Sequence, residues 1–542
     1  MLLIHILKIK KREDEEMKSV KKLFALLLVA VLAIGIAGCG TGGSSSGGTS
    51  SDGKIRVAMQ DPNVPIDPQK QTSSYLMMVA DQITQPLISL KNDGTLAPEL
   101  IKEMPKISDD GLTYSFELKD NVKFHNGETV KTSDVKYSFE RLLTEGVMGS
   151  MIDQIVGAQA LIDKTATSLE GFKIIDDQKF DIVLEQPFSP FTSTIATAYV
   201  AIYPEKACKD AGADWGRTVL YGTGPYKMDS YVAGQGIECS KFDDYHGEPA
   251  KNAGVSFKFM EDANTQVMEF QKGNIDIVQL DATLYPQYKD NADIKDSIHS
   301  FMPIGEIYLT PSVEMIPEVK VREALSYAID REAICKDLLN GTAVPAKTFL
   351  PEGLIGYNES APAYEYNPEK AKQLLAEAGY PNGYTIDVPL SSKYPFKTKI
   401  ATAIQDQARA AGFTLNLSEV DGAAYNDMDL GGQIPLGVSN WYVDYIDPDG
   451  MIYQRFAPIV TMTHSSKYQN PEFDALLNEG RQITDESKRQ EIYSKADQMI
   501  TRQDYAAIPI CHETKYYLMN SAVKNFEVTD MFRFHFETAE LS

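Results

Sequence analysis

A mixed α/β fold is predicted for this chain, and three features predict it. Segments with strand-type alternation interleave with segments of helical spacing along most of the length. The composition is globular, with 43% of the 542 residues hydrophobic and 24% charged, which excludes a mainly disordered chain. No internal repeat of about 20–50 residues is visible, which argues against a solenoid. At ~100–200 residues per domain, the length suggests roughly three domains.

The N-terminus is an address and an anchor. Lys18, Lys21 and Lys22 precede an apolar run from Leu23 to Ile36, and Ile36-Ala37-Gly38-Cys39 follows. A basic segment, a short apolar segment and small residues describe a secretory signal over 1–38. The run is shorter than the ~20 residues that a transmembrane helix needs. Ile36 to Cys39 resembles the bacterial lipobox, which implies lipidation of Cys39. Met17 stands just before the basic cluster, so either Met1 or Met17 can be the true start. Residues 39–54 read as the lipidated cysteine and a flexible Gly/Ser tether, spanning roughly 20 Å. Three motif matches in it, to GxSxG, GxGxxG and (within one residue) the P-loop, lack the strand and helix that give such motifs their geometry.

The body then alternates. Tyr114, Phe116 and Leu118, followed by Val122 and Phe124, suggest a half-buried hairpin pair. Asp134 to Leu143 reads as a helix with Val135, Phe139 and Leu142 on one face. Val255, Phe257 and Phe259 alternate as a strand, Asp262 caps a helix that stops near Gly273, and Ile275 to Val278 resumes a strand. Val321, Ala324, Leu325 and Ala328 mark another amphipathic helix. The clearest unit is Asn367 to Gly379. Asn367 is the cap, Pro368 suits the first turn, Gly379 the stop, and Ala371, Leu374, Leu375 and Ala378 form the buried stripe.

Charge and chemistry narrow the function. Lys plus Arg number 52 against 76 Asp plus Glu, a net of −24, which argues against nucleic acid as the main partner. Removing 1–38, with seven basic and four acidic residues, leaves 45 and 72, a net of −27. The seven His and the five Cys (Cys39, Cys208, Cys239, Cys335, Cys511) show no CxxC or HxxxH spacing. A zinc site or disulfide scaffold is therefore not expected, and neither is a cofactor. The redox state of the last four cysteines stays open.

Residues 110–143, from Asp110-Gly111-Leu112-Thr113-Tyr114 to Phe139-Glu140-Arg141-Leu142-Leu143, resemble the signature of the family 5 extracellular solute-binding proteins. These are peptide, dipeptide and nickel receptors of ABC importers. Further matches follow in the family's order over residues 55–520. They are Gly222 to Tyr226, Lys272 to Asp276, Val321 to Leu325 with Asp330-Arg331, Tyr366 to Gly383, and Trp441 to Pro448. Tyr245-His246-Gly247 departs from the family's Tyr-Trp, with no effect on binding expected.

The resemblance implies a periplasmic-binding-protein-like II clamshell of the cluster C type, with two lobes and an extra subdomain inserted in the N-terminal one. Lobe 1 would combine 55–92, 220–302 and 509–542, with 93–219 inserted, and 303–508 would form lobe 2. It also implies a non-enzymatic, monomeric receptor that delivers short peptides to a membrane permease with its ATPases. The receptor would be held on the outer face of the cell membrane by Cys39, or be periplasmic.

The site is implied at 437–450. By resemblance, Asp444 holds the peptide's α-ammonium, Asn440 and Tyr442 offer backbone groups for strand addition, and Trp441 walls the pocket. For the peptide's carboxylate, Lys393 is the candidate, where relatives place an arginine. An alternative ligand is a nickel–chelator complex, with His464 as the metal ligand, or another small solute. An anchored exported hydrolase is a further class, although no nucleophile motif lies in the body. Asp447 and Asp449 fail the calcium-loop spacing and read as a polar turn.

Overall fold

The computed structural model describes residues 52–542 apart from 92–93, 293, 302–304, 462–463 and 529–532. The signal segment, Cys39 and the tether up to Ser51 lie outside the described residues. No helix among those described is long and apolar enough to cross a membrane.

The chain begins its body on the strand Lys54–Met59, whose Ile55, Val57 and Met59 are buried. It lies in a seven-stranded sheet, in the order Ile298–Phe301, Lys515–Met519, Ile277–Leu280, Lys54–Met59, Gly254–Phe259, Gly236–Lys241, Tyr226–Val232. Lys54–Met59 runs parallel to both of its neighbours, and the remaining pairs are antiparallel. Arg56 ties this centre together through Asp276, with Nη2 2.7 Å from Oδ1. Lys54, the lysine of the near-miss P-loop, serves the strand and pairs with Glu238 at 3.3 Å.

A four-stranded antiparallel sheet carries its own core. Thr113–Glu117 alternates as expected, with Tyr114 and Phe116 buried. Neither of its partners is the expected 122–124 segment: it pairs with Lys106–Ile107 on one side and with Lys179–Val183, some sixty residues on, on the other, while Lys123 bridges Thr129. The reason is packing. The Phe116 ring stacks on Phe180 at 5.0 Å and Phe180 on Phe172 at 4.9 Å, an aromatic ladder that a local hairpin would not build. The helix Thr132–Glu145 buries Val135, Phe139 and Leu142 in the same core.

The third sheet is antiparallel, in the order Ala343–Pro345, Ile508–Glu513, Gly305–Pro311, Leu436–Tyr442. Beside it stands a parallel pair, Tyr384–Ser391 and Phe413–Val420, joined through the helix Pro395–Ala410. The chain thus passes from the seven-stranded sheet to this one between Phe301 and Gly305, and returns at Thr514.

Local signals hold where they are self-contained. Asp262 accepts the Thr265 N–H at 2.8 Å at the start of Ala263–Gln271, and Gly273 takes φ +74° just beyond it. Strand Ile277–Leu280 and helix Val319–Tyr327 lie near their expected positions. Asn367 caps Pro368–Glu377 by accepting the Lys370 N–H at 2.9 Å. Asn367→Ala is expected to cost ~1 kcal/mol, read as a lowered urea midpoint with unchanged slope. The thiols of Cys208, Cys239, Cys335 and Cys511 are free and buried.

Candidate functional site

A cavity of about 800 Å³ lies between the seven-stranded sheet with its neighbours and the sheet that ends in Leu436–Tyr442. One wall comes from Met59, Tyr75, Asp81, Tyr199, Gln279 and Tyr517, the other from Tyr394, Lys397 and the run 440–446. The two walls touch at a rim. The Ser189 N–H donates to the Arg481 carbonyl at 2.7 Å, and the Arg481 guanidinium lies 4.7 Å from the Phe188 ring. Tyr445 also packs into the core of the 87–202 region.

Leu436–Tyr442 explains why the run 440–446 is presented to the cavity. Its Leu436, Gly437 and Val438 are buried, whereas its last four residues are only partly covered. It is the edge strand of its sheet. One long side pairs with Gly305–Pro311, from Leu436 opposite Pro311 to Tyr442 opposite Gly305, and the other has no ladder partner among the described residues. Trp441 is fixed by an Nε1–H bond to the Gly450 carbonyl at 3.0 Å, and the Arg455 guanidinium stacks 4.7 Å over its ring. The Tyr442 hydroxyl bonds Glu513, which Lys515 approaches at 3.1 Å.

Asp444 stands apart from the other acids of this run. Its Oδ2 is buried and has no hydrogen-bond partner, and burial pushes the carboxyl up to about 7, against a smaller opposing pull from Arg455. Asp447 and Asp449, three and five residues on, are instead held by arginines. Asp447 receives both Arg489 Nη atoms at 2.8 Å, and Asp449 Oδ1 lies 3.1 Å from Arg481 Nε. Asp447 Oδ1 also accepts the Asp449 N–H at 2.9 Å, so these two build the expected turn and brace it as well.

Asn440, Trp441, Tyr442 and Asp444 all line the cavity; Lys393 does not. Lys393 is exposed, with its ammonium 5.5 Å over the Tyr394 ring. Two lysines line the cavity, Lys515, which is paired with Glu513, and Lys397, in the first turn of Pro395–Ala410. Burial lowers Lys397 to about 8, Arg455 adds to the lowering, and Asp429 opposes it. His464 lines a separate cavity of about 30 Å³ behind Arg455, with its Nδ1 2.9 Å from the Val460 carbonyl. No group of three or more His, Cys, Asp or Glu gathers in metal-binding geometry among the described residues.

Sequence reasoning missed Lys397, Tyr199 and Arg533, which line the cavity, and Arg455, which stacks behind Trp441. The only local signal was for Lys397, which opens a helix after Tyr394-Pro395 in the segment where a cation was sought.

A two-walled binding protein with an internal cleft is the class that this geometry defines. The family model for bacterial extracellular solute-binding proteins, family 5, matches residues 95–459, and the chain belongs to that family. The chain is 28% identical over 471 residues to the heme-binding protein A of Haemophilus influenzae, covering 82% of this chain and 84% of that one. It is also 28% identical over 484 residues to the dipeptide-binding protein of Escherichia coli, covering 84% and 88%. The structure of the periplasmic binding protein DppA from Helicobacter pylori, solved with a peptide, superposes with a TM-score of 0.76 at 22% identity, covering 90% and 98%. The fold is therefore the expected α/β clamshell of type II periplasmic binding proteins.

Proposed function

We propose that this protein is a lipid-anchored receptor of an ABC importer that binds short peptides in the cleft. Asp444 carries the reading. A buried carboxylate oxygen without a partner on a cavity wall asks for a donor, and a peptide's α-ammonium offers three. Such a charge-assisted bond is worth ~1.5–3 kcal/mol. Lys397, and not Lys393, is the cation suited to the peptide's carboxylate. The unpaired side of Leu436–Tyr442 suits main-chain pairing, which accepts many side chains. The similarity to a dipeptide-binding protein supports the same ligand class.

In this reading Cys39 holds the body to the outer face of the membrane. Lobe 1 (55–92, 220–302 and 509–542), with 93–219 inserted, closes on lobe 2 (303–508) about the two chain crossings. Ligand favours the closed form because only that form contacts it from both sides. A monomer in that form docks on a permease with its ATPases. No bond is made or broken, so the protein is a receptor and not an enzyme.

Calorimetry with pools of random di- to hexapeptides tests the reading: saturable binding is expected, and no heat from any pool rejects it. The pH profile follows from the two charges. Below about pH 7 the empty cleft holds Asp444 protonated, so an ammonium must displace that proton and affinity falls as pH falls. Above about pH 8 Lys397 is neutral in the empty cleft, so affinity for the carboxylate falls as pH rises. Binding is expected to be tightest between these values, with limbs of up to about tenfold per pH unit.

A further inference from the structure

A second cavity, of about 470 Å³, abuts the cleft and shares with it a wall of Asp81, Leu90, Arg533 and Phe534. Its floor is polar. The Asp81 side chain is only 10% exposed, and its Oδ1 is buried with no hydrogen-bond partner. Its Oδ2 faces Arg533 Nε across 3.9 Å. On the same lining, His535 Nδ1 lies 2.7 Å from Glu537 Oε1, while its Nε2 is buried without a partner. In the neutral ring whose Nδ1–H donates to Glu537, Nε2 is an acceptor. The two partnerless atoms therefore both lack a donor.

Around them the charge is acidic. Asp81, Glu99 and Glu537 line the cavity, against Arg533 and the exposed Lys91. Glu99 is pinned in place through Gln85, whose amide donates to Glu99 Oε1 at 2.6 Å and to the Tyr245 hydroxyl at 2.9 Å. Gln85 is itself oriented by His246, whose Nε2 lies 2.9 Å from Gln85 Oε1. Burial holds His246 neutral, at about 4, so its one N–H lies on Nε2, where it donates to that oxygen.

We infer that this annex is a specificity subsite for a cationic, multi-donor side chain, a guanidinium or an ammonium, on the peptide held in the cleft. Asp81 Oδ1 and His535 Nε2 accept its N–H groups, and Glu537 and Glu99 supply the balancing charge. The inference rests on the peptide reading above. An uncharged donor would satisfy the same two acceptors without meeting the charge, so charge is the discriminating variable.

The test is a calorimetric series on the purified protein. It compares trialanine with tripeptides that carry one arginine, one citrulline or one glutamate at each position in turn. Citrulline keeps the shape of arginine and three of its five N–H donors, replaces the other amino group by a carbonyl oxygen, and removes the charge. At one position arginine is expected to bind about tenfold tighter than citrulline, and glutamate weaker than both. Glu537→Gln and Glu99→Gln, at residues that line the annex and not the cleft, should each reduce that preference while trialanine binds as before. Equal binding of arginine and citrulline at every position overturns the inference and leaves the peptide reading standing. So does an equal weakening of trialanine and the arginine peptide by both variants. If no peptide binds, trialanine included, the peptide reading falls and takes the annex with it.

Discussion

Asp444→Asn is expected to weaken peptide binding by about 10–100-fold and, in the same protein, to raise the melting temperature of the unliganded form at pH 8. The first effect is the loss of a charge-assisted bond to the ammonium. The second follows from burial. The folded protein holds this carboxyl near 7, well above its ordinary range, so the native state binds the proton more tightly than the unfolded chain does. Stability from this group is therefore greatest at low pH and is lost as pH rises from about 4 to 7. Asparagine carries no such penalty. The variant should melt higher than the parent at pH 8, and the difference should close as the pH falls toward about 4. Thermal melts across that range and titrations with a bound peptide measure both. Unchanged affinity rejects the anchoring role, and a variant that melts lower at pH 8 rejects the electrostatic account.

Arg489→Leu is expected to be the most destabilising of the charge removals near the cleft. Arg489 and Asp447 are 6% and 5% exposed and joined by two bonds of 2.8 Å, and Arg489 Nε also donates to the Gly480 carbonyl at 2.9 Å. Removing the arginine leaves Asp447 buried without its counter-charge, at a cost of about 3–5 kcal/mol. The loss should appear as a large fall in the denaturation midpoint. Because Asp447 braces the turn that follows Asp444, peptide affinity should fall as well. The double variant Asp447→Asn/Arg489→Leu should recover part of the stability, and the cycle measures the coupling. A single variant as stable as the parent would show that the pair is dispensable.

The parts of the fold that were legible are those whose causes lie within a few residues. Asn367, Pro368 and Gly379 start and stop a helix by their own bonding and dihedral preferences, and their place in the chain needs no distant partner. The alternation of Thr113–Glu117 was legible for the same reason. Its partner strand Lys179–Val183 was not, because the ladder of Phe116, Phe180 and Phe172 is assembled across some sixty residues. The site divides in the same way. Asp444 and Trp441 were legible through the ordered family motifs. Lys397 was not, since a lysine becomes a cleft group only when folding strips its water.

The sequence by itself determined the mixed α/β class, the family and the segment in which the cleft is built. Only the tertiary structure decided which carboxylate in that segment lies buried without an ion-pair partner. Asp444, Asp447 and Asp449 lie within six residues and have the same chemistry. Two of them are answered by Arg489 and Arg481, which come from 42 and 32 residues away, and the third, Asp444, has neither a hydrogen bond at its buried Oδ2 nor a close ion pair among the described residues. Burial and pairing are set by the chain's long-range contacts, so three like residues acquire different roles only once it has folded.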